Sequence, residues 1–178
     1  LHSTPAECDY ASVTNSALDA ASLASSAFRY VLTSLPWEFG AHFGCNFTGS
    51  AYLFGRYSGA RAAPQHLPAR HQLIIVHELG HNLGLGHSGL GQDEYGDDTC
   101  CMGSTAQLLG STYNAPMLDE LGWATTAWVD RGSAVVLPSL GTANEAVVVR
   151  SSGQYISFRG EQGHDAAVRI RDRQTVYV

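Results

Sequence analysis

The feature that most constrains this chain is a stretch with the pattern H-E-x-x-H-x-x-G-x-x-H, which runs from His77 to His87. Two histidines four positions apart on a helix project from one face, about one turn apart. The ring nitrogens of His77 and His81 can therefore reach a single ion, with Glu78 beside it. The pattern predicts a helical metal site with a carboxylate next to the metal.

The segment after this helix is expected to supply a third ligand. A catalytic zinc ion takes three protein ligands and keeps one position open. Gly84 lies where the helix can end, because glycine accepts the left-handed conformation that turns a chain. Such a turn would bring His87 round to the ion. An alternative third ligand is a more distant glutamate, Glu94 or Glu120, in place of His87.

The chemistry predicted for this site is hydrolysis. Zinc held by three imidazoles lowers the pKa of bound water toward about 7, and Glu78 can take the proton and pass it to a leaving amine. The alternative is a catalytically inactive, metal-stabilised module that binds matrix or carbohydrate. Glu78 separates the two hypotheses, because a purely structural zinc site does not require it.

Stretches downstream of the histidines carry a resemblance to a known family. They are D-E-Y-G-D at 93–97, C-M-G at 101–103, N-A-P at 114–116 and L-G-W at 121–123. With the histidine motif they resemble the gametolysin family of metzincin zinc endopeptidases, matrix-degrading enzymes known from volvocine green algae. The resemblance implies a Met-turn at Met102, the zinc ligands His77, His81 and His87, and the general base Glu78.

The same resemblance implies a secreted enzyme that cleaves peptide bonds in extracellular matrix or cell-wall glycoproteins. A net charge of −6 with only 10 Lys and Arg argues against nucleic acid, which needs clustered basic residues. No apolar run reaches the roughly 20 residues that cross a bilayer. Because residue 1 is leucine, we expect the chain to begin inside a longer gene product. Such a product has room for a secretory signal or propeptide ahead of residue 1, and neither is visible in this sequence.

The cysteines are an even set that fits disulfides in an exported protein and can pair in three ways. Cys8 with Cys45 is the preferred bridge. Cys100 and Cys101 are adjacent, and a bond between neighbours is strained, so they are expected to have other partners or none. Four buried thiols are the alternative.

The segment 88–99 is rich in glycine and carries Asp93, Glu94, Asp97 and Asp98. Crowded oxygen ligands in a loop can bind Ca²⁺. The spacing matches no EF-hand, and a solvated charged loop is the alternative. The sequence therefore offers calcium as a second metal without supporting it.

The predicted fold is α+β, a metzincin-like domain with a twisted sheet, an active-site helix, a Met-turn and a short final helix. Ahead of the motif we predict a helix at 12–27, strands at 28–33 and 50–54, and a loop at 58–70, with the motif helix following at about 69–83. By resemblance, the strand at 50–54 is the sheet edge that holds the substrate. The superfamily's first strand, which would precede the helix at 12–27, is not evident.

Beyond the Met-turn we predict a helix over 114–121, capped by Asn114, with Pro116 in its first turn and Gly122 as its stop. The pattern then becomes β, with short apolar runs at 134–137, 146–149, 155–158, 167–170 and 175–178. We predict a catalytic domain at 1–124 and a β-rich module, a small sandwich or appended sheet, at 125–178. The module is expected to be incomplete, because the chain stops inside its last run.

Overall fold

The computed structural model describes residues 9–38, 40, 47–62, 68–104, 112–130, 132–140, 146–151, 153–160 and 174–177. The chain has a mixed α/β structure and divides into two compact units, Leu1–Gly86 and His87–Val178. None of the described helices is long and apolar enough to cross a membrane.

The first unit opens with helix α1, Tyr10–Ala20, whose N-cap Asp9 accepts a hydrogen bond from the Ser12 N–H. The prediction of one helix over 12–27 is wrong at its end. The chain turns after α1 through Ser22, whose φ is 56°, and then forms a separate 3-10 turn at Ser25–Ala27. The small residues of the stretch 12–27 recur at helical spacing. They offer little apolar surface, however, and packing of apolar surface is what stabilises a longer helix.

Among the described residues of the first unit, three strands form a sheet: β1 at Val31–Pro36, β2 at Gly49–Ala51 and β3 at Tyr57–Ala62. The order is β1-β3-β2, with β1 parallel and β2 antiparallel to β3. The strands predicted at 28–33 and 50–54 are present, but each is shifted by a few residues. The short strand β2 lies at one edge of this sheet.

The prediction of a loop over 58–70 is wrong where β3 lies, because β3 is the central strand. Its residues Ser58 to Arg61 are buried, and they are too small and too polar to give a strand pattern. Small residues are needed in β3 because side chains from other elements pack closely on its backbone. A Cβ at Gly59 would lie 3.2 Å from the Tyr10 ring.

Helix α2, Pro68–Asn82, carries the first two histidines of the motif and agrees with the prediction to within a few residues. It packs on β2 and β3. The buried side chains recur at helical spacing along the face toward the sheet. They are Leu73, Ile74, His77, Glu78 and Asn82.

The second unit contains the predicted short helix, α3, at Ala115–Glu120. The Asn114 side chain caps it by accepting a hydrogen bond from the Met117 N–H at 3.2 Å. Pro116 lies in the first turn, and Gly122 follows the last turn with a φ of 67°. The predicted cap, first-turn proline and stop are all confirmed.

The part of the second unit that the structure describes also contains a four-stranded mixed sheet. Its order is β4-β5-β6-β7, with β4 parallel to β5 and the other pairs antiparallel. The strands are β4 at Ala124–Trp128, β5 at Ala146–Ser151, β6 at Gln154–Phe158 and β7 at Gln174–Tyr177. The runs predicted at 146–149, 155–158 and 175–178 are thus strands, whereas 167–170 lies outside the described residues.

The predicted strand at 134–137 is wrong. The apolar run has no paired neighbour among the described residues, and Val136 is 96% exposed. Strand β4 was not predicted. The Asp119 carboxylate of α3 accepts hydrogen bonds from Thr126 of β4 and Tyr155 of β6, which joins the helix to the sheet. The division into domains at 124/125 stays a prediction.

Candidate metal centre

Three histidines bring their ring nitrogens together. Each of His77, His81 and His87 offers one ligand atom, and these atoms all lie within 4.8 Å of one another. His77 and His81 stand on one face of α2 with ring centroids 4.8 Å apart, as their spacing predicts. No other group of three or more His, Cys, Asp or Glu side chains converges in this way within the described residues.

His81 is oriented by the turn that follows α2. Its Nδ1 lies 2.8 Å from the carbonyl oxygen of Leu85. A carbonyl only accepts, so Nδ1 donates and Nε2 keeps a lone pair for a metal. Gly84 has a φ of 104°, as predicted for the residue that ends the helix, and the turn places the Leu85 N–H 2.9 Å from the Gly80 carbonyl.

His87 is oriented in the same manner by a carboxylate. Its Nδ1 lies 2.5 Å from Glu94 Oε1, and the Tyr95 ring centroid is 4.0 Å from that of the imidazole. A ligand histidine that donates its other N–H to a carboxylate has its tautomer and ring direction determined. The sequence offers Glu94 only as an alternative ligand or as part of the acidic loop. The signal for this contact is a carboxylate seven residues after His87.

Glu78 is buried, with 6% of its surface exposed. It faces the first residue of β2, since a Cβ at Gly49 would lie only 2.2 Å from Glu78 Oε1. Burial raises the pKa of Glu78 to about 8, because a low-dielectric environment disfavours the charged carboxylate. In the metal-free chain this carboxyl therefore holds a proton more tightly than an exposed glutamate does.

One known protein family matches nearly the whole chain. Residues 6–178 match the family described as gametolysin peptidase M11. The chain belongs to the gametolysin peptidase family. It is also 29% identical over 156 residues to a protein named autolysin from Chlamydomonas reinhardtii, an alignment that covers 73% of this chain and 22% of the relative. This gametolysin-family chain therefore spans about a fifth of that relative's length. No solved structure matches it.

The predicted Met-turn residue of this gametolysin-family peptidase, Met102, has no exposed surface. Its carbonyl accepts a hydrogen bond from the Ser88 N–H at 2.8 Å. The next residue, Gly103, must be a glycine, because a Cβ there would lie 2.0 Å from the Asp97 carbonyl oxygen. The role of Met102 as a base for the metal site stays a prediction.

In this family member, Asp97 of the acidic segment 88–99 accepts hydrogen bonds that connect the segment to Asn114. One of its carboxylate oxygens accepts from the Ser88 hydroxyl at 2.7 Å and from the Asn114 amide at 3.2 Å. The other accepts from the Thr99 N–H at 3.0 Å. These bonds satisfy the carboxylate with protein donors. Calcium binding by this segment stays a prediction.

Of the cysteines, Cys100 and Cys101 are buried and form no disulfide with each other, whereas Cys8 and Cys45 lie outside the described residues. Burial opposes ionisation of Cys100, but hydrogen bonds from Cys101 and from the backbone N–H groups of Met102 and Asn114 lower its pKa overall. Burial raises the pKa of Cys101. The preferred Cys8–Cys45 bridge stays a prediction.

Proposed function

We propose that this chain is the catalytic part of a zinc-dependent endopeptidase with Glu78 as its general base. The observation that carries the proposal is the convergence of three imidazole nitrogens, those of His77 and His81 on α2 and that of His87 beyond its end. Helix α2 also carries the buried Glu78. Imidazole nitrogens are preferred zinc ligands, and three of them leave the open position that a catalytic site needs. Membership of a peptidase family supports the same reaction.

The proposed residue roles follow from the contacts. His77, His81 and His87 would hold the zinc ion, which when bound supplies Lewis acidity toward water and the scissile carbonyl. Glu78, in its ionised form, would take a proton from the attacking water and deliver it to the leaving amine.

Strand β2 is proposed to hold the substrate. It lies at the edge of its sheet, and its other side can pair with an extended peptide through main-chain hydrogen bonds. Its first residue, Gly49, faces Glu78. A peptide paired with β2 would therefore present a backbone carbonyl near the general base.

The proposed natural substrates are extracellular matrix or cell-wall glycoproteins, cleaved by a secreted enzyme. The gametolysin family and the similarity to a protein named autolysin support this class. The competing hypothesis of an inactive matrix-binding module gives no reason for Glu78. A buried carboxylate is costly, and holding a metal with three histidines does not require it.

The decisive test of the reaction is cleavage of a peptide library by the chain loaded with stoichiometric zinc. We expect hydrolysis that a chelator abolishes and added zinc restores. Absence of hydrolysis of any peptide or denatured protein by the fully loaded chain would favour the inactive binding module.

Removing the carboxylate that orients His87 should weaken metal binding without abolishing it. We expect Glu94→Gln to lower zinc affinity by about 10- to 100-fold, because loss of a partner to a ligand histidine typically has this effect. The measurement is competition for zinc with a chromophoric chelator. Glu120→Gln, at an exposed glutamate on α3, is the matched control and should bind zinc as the unaltered chain does. Unchanged affinity in Glu94→Gln would refute the orienting role.

A methyl group at Gly49 should displace the general base. We expect Gly49→Ala to lower kcat/KM by about 100-fold, because the new Cβ overlaps Glu78 Oε1 and a displacement of about 1 Å at a reacting group has this effect. Gly86→Ala is the control, since an added Cβ there meets nothing within 4 Å. Zinc affinity should be unchanged in both variants. Equal activities of the two variants would show that Glu78 tolerates the shift.

A further inference from the structure

A tight turn follows β2 and exposes apolar side chains. The Gly55 N–H donates to the Tyr52 carbonyl at 2.8 Å, so Leu53 and Phe54 occupy the two central positions. Phe54 has a φ of 57°, in the left-handed region that favours glycine or asparagine and disfavours a bulky side chain. Yet Phe54 is 76% exposed as a residue, and Leu53 is 53% exposed. An aromatic residue in a strained and exposed position points to a function for its side chain.

The segment that ends α2 holds this turn in place. The Phe54 N–H donates to the carbonyl of His81 at 2.9 Å, and the Asn82 side chain donates to the Tyr52 carbonyl at 3.2 Å. The ring of Phe54 lies over the bare backbone of Gly84, where a Cβ would approach it to 2.2 Å. The exposed ring is thereby anchored to the stretch of chain that carries a metal-ligand histidine.

The turn also continues directly from the edge strand. Gly49, at the start of β2, faces Glu78, and the turn begins immediately after Ala51 at the strand's other end. An extended peptide lying along β2 would therefore reach the turn several residues from the bond beside Glu78. Tyr52 is also 54% exposed, but one side of its ring packs on that of Tyr10, with centroids 6.4 Å apart. Leu53 and Phe54 are the exposed apolar side chains at the centre of the turn.

We propose that Leu53 and Phe54 form a specificity subsite that binds an apolar side chain of the peptide substrate, several residues from the scissile bond. The inference rests on the proposed endopeptidase function and names a substrate feature for it. Two apolar side chains can cover one substrate side chain. The exposed surface area of Leu53 and Phe54 is far smaller than the roughly 800 Å² that each partner contributes to a stable protein interface. This difference disfavours a second copy or another domain as the occupant.

The test replaces Phe54 by asparagine, which accepts the left-handed backbone and removes the ring. Paired peptides, one with a phenylalanine scanned through its positions and one with serine there, are cleaved by the zinc-loaded chain. We expect Phe54→Asn to lower kcat/KM about 10-fold for the phenylalanine peptide at one position, mainly through a higher KM. The serine peptide, the zinc affinity and Tm should show no decrease. Phe54→Tyr, which keeps the ring, should behave as the unaltered chain does.

Several results would overturn the subsite. They are equal effects of Phe54→Asn on both peptides, no effect on either, or a lower Tm that accompanies a general loss of activity. A change in oligomeric state in Phe54→Asn would assign the ring to a contact between copies instead.

Binding of the same peptides, labelled with fluorescein and measured by anisotropy, separates this inference from the proposed function. If no peptide is cleaved but Phe54→Asn weakens binding of the phenylalanine peptide, the endopeptidase proposal fails and the subsite stands. If peptides are cleaved and bound without regard to Phe54, the subsite fails and the endopeptidase proposal stands.

Discussion

Glu78→Gln is expected to lower peptide hydrolysis by about 10³- to 10⁴-fold while zinc affinity stays unchanged. Glutamine has nearly the shape of glutamate but cannot accept a proton, so proton transfer from water and to the leaving amine is lost. Zinc remains bound because the three histidines, not Glu78, are the proposed ligands. The measurement is kcat/KM on the best library peptide, together with zinc content.

Two controls make this result specific. Glu120→Gln changes an exposed glutamate in the same way and should leave kcat/KM unaltered. Titration with zinc should give equal stoichiometry in both variants. Near wild-type cleavage by Glu78→Gln would end the assignment of Glu78 as general base, whatever the metal content.

The same variant should change how the metal-free chain depends on pH. The pKa of Glu78 in the folded chain is raised to about 8 from an ordinary value of 4.5, so the folded state binds the proton more tightly than the unfolded state. Stability contributed by the protonated form is therefore present below about pH 4.5 and lost as pH rises toward about 8. We expect Glu78→Gln to show less of this decline in urea unfolding. An identical pH profile in both chains would contradict the raised pKa.

His87→Ala is expected to lower zinc affinity by on the order of 10³-fold and to abolish hydrolysis at low zinc. Loss of one of three protein ligands removes a coordinate bond, and two imidazoles alone bind zinc weakly at neutral pH. The expected loss exceeds that of Glu94→Gln, which disturbs only the direction of the ring. The measurement is chelator competition, with peptide cleavage followed as zinc is added back.

This variant also tests the alternative ligand set. If Glu94 or Glu120 were the third ligand, His87→Ala would retain zinc and the corresponding glutamate variant would lose it. The ranking we expect is the reverse. His87→Ala should lose most, Glu94→Gln less and Glu120→Gln nothing. Zinc affinity near that of the unaltered chain in His87→Ala would exclude His87 as a ligand.

Parts of the fold could be predicted because their signals are local. The helix that carries His77 and His81 follows from apolar periodicity, and the short helix α3 follows from its cap, its first-turn proline and the glycine after it. The spacing of the histidines also predicted their common face. Such features depend on contacts within a few residues along the chain, which a single sequence displays directly.

Other parts could not be predicted because distant neighbours decide them. Strand β3 is made of small residues that become a strand only when flanked by β1 and β2. The apolar run around Val136 has the composition of a strand but pairs with nothing among the described residues. Strand pairing is a nonlocal choice, so composition is a weaker guide to strands than periodicity is to helices.

The sequence by itself determined the donors and their order: three histidines, the glutamate between the first two, and the glycine that turns the chain toward the third. Only the tertiary structure decided how those groups are held. It placed the Leu85 carbonyl and the Glu94 carboxylate on the imidazoles, and it set the bare backbone of Gly49 against Glu78. The reason is physical, since residue identity specifies which atoms can bind, whereas tautomer, pKa and access depend on what folding brings beside them.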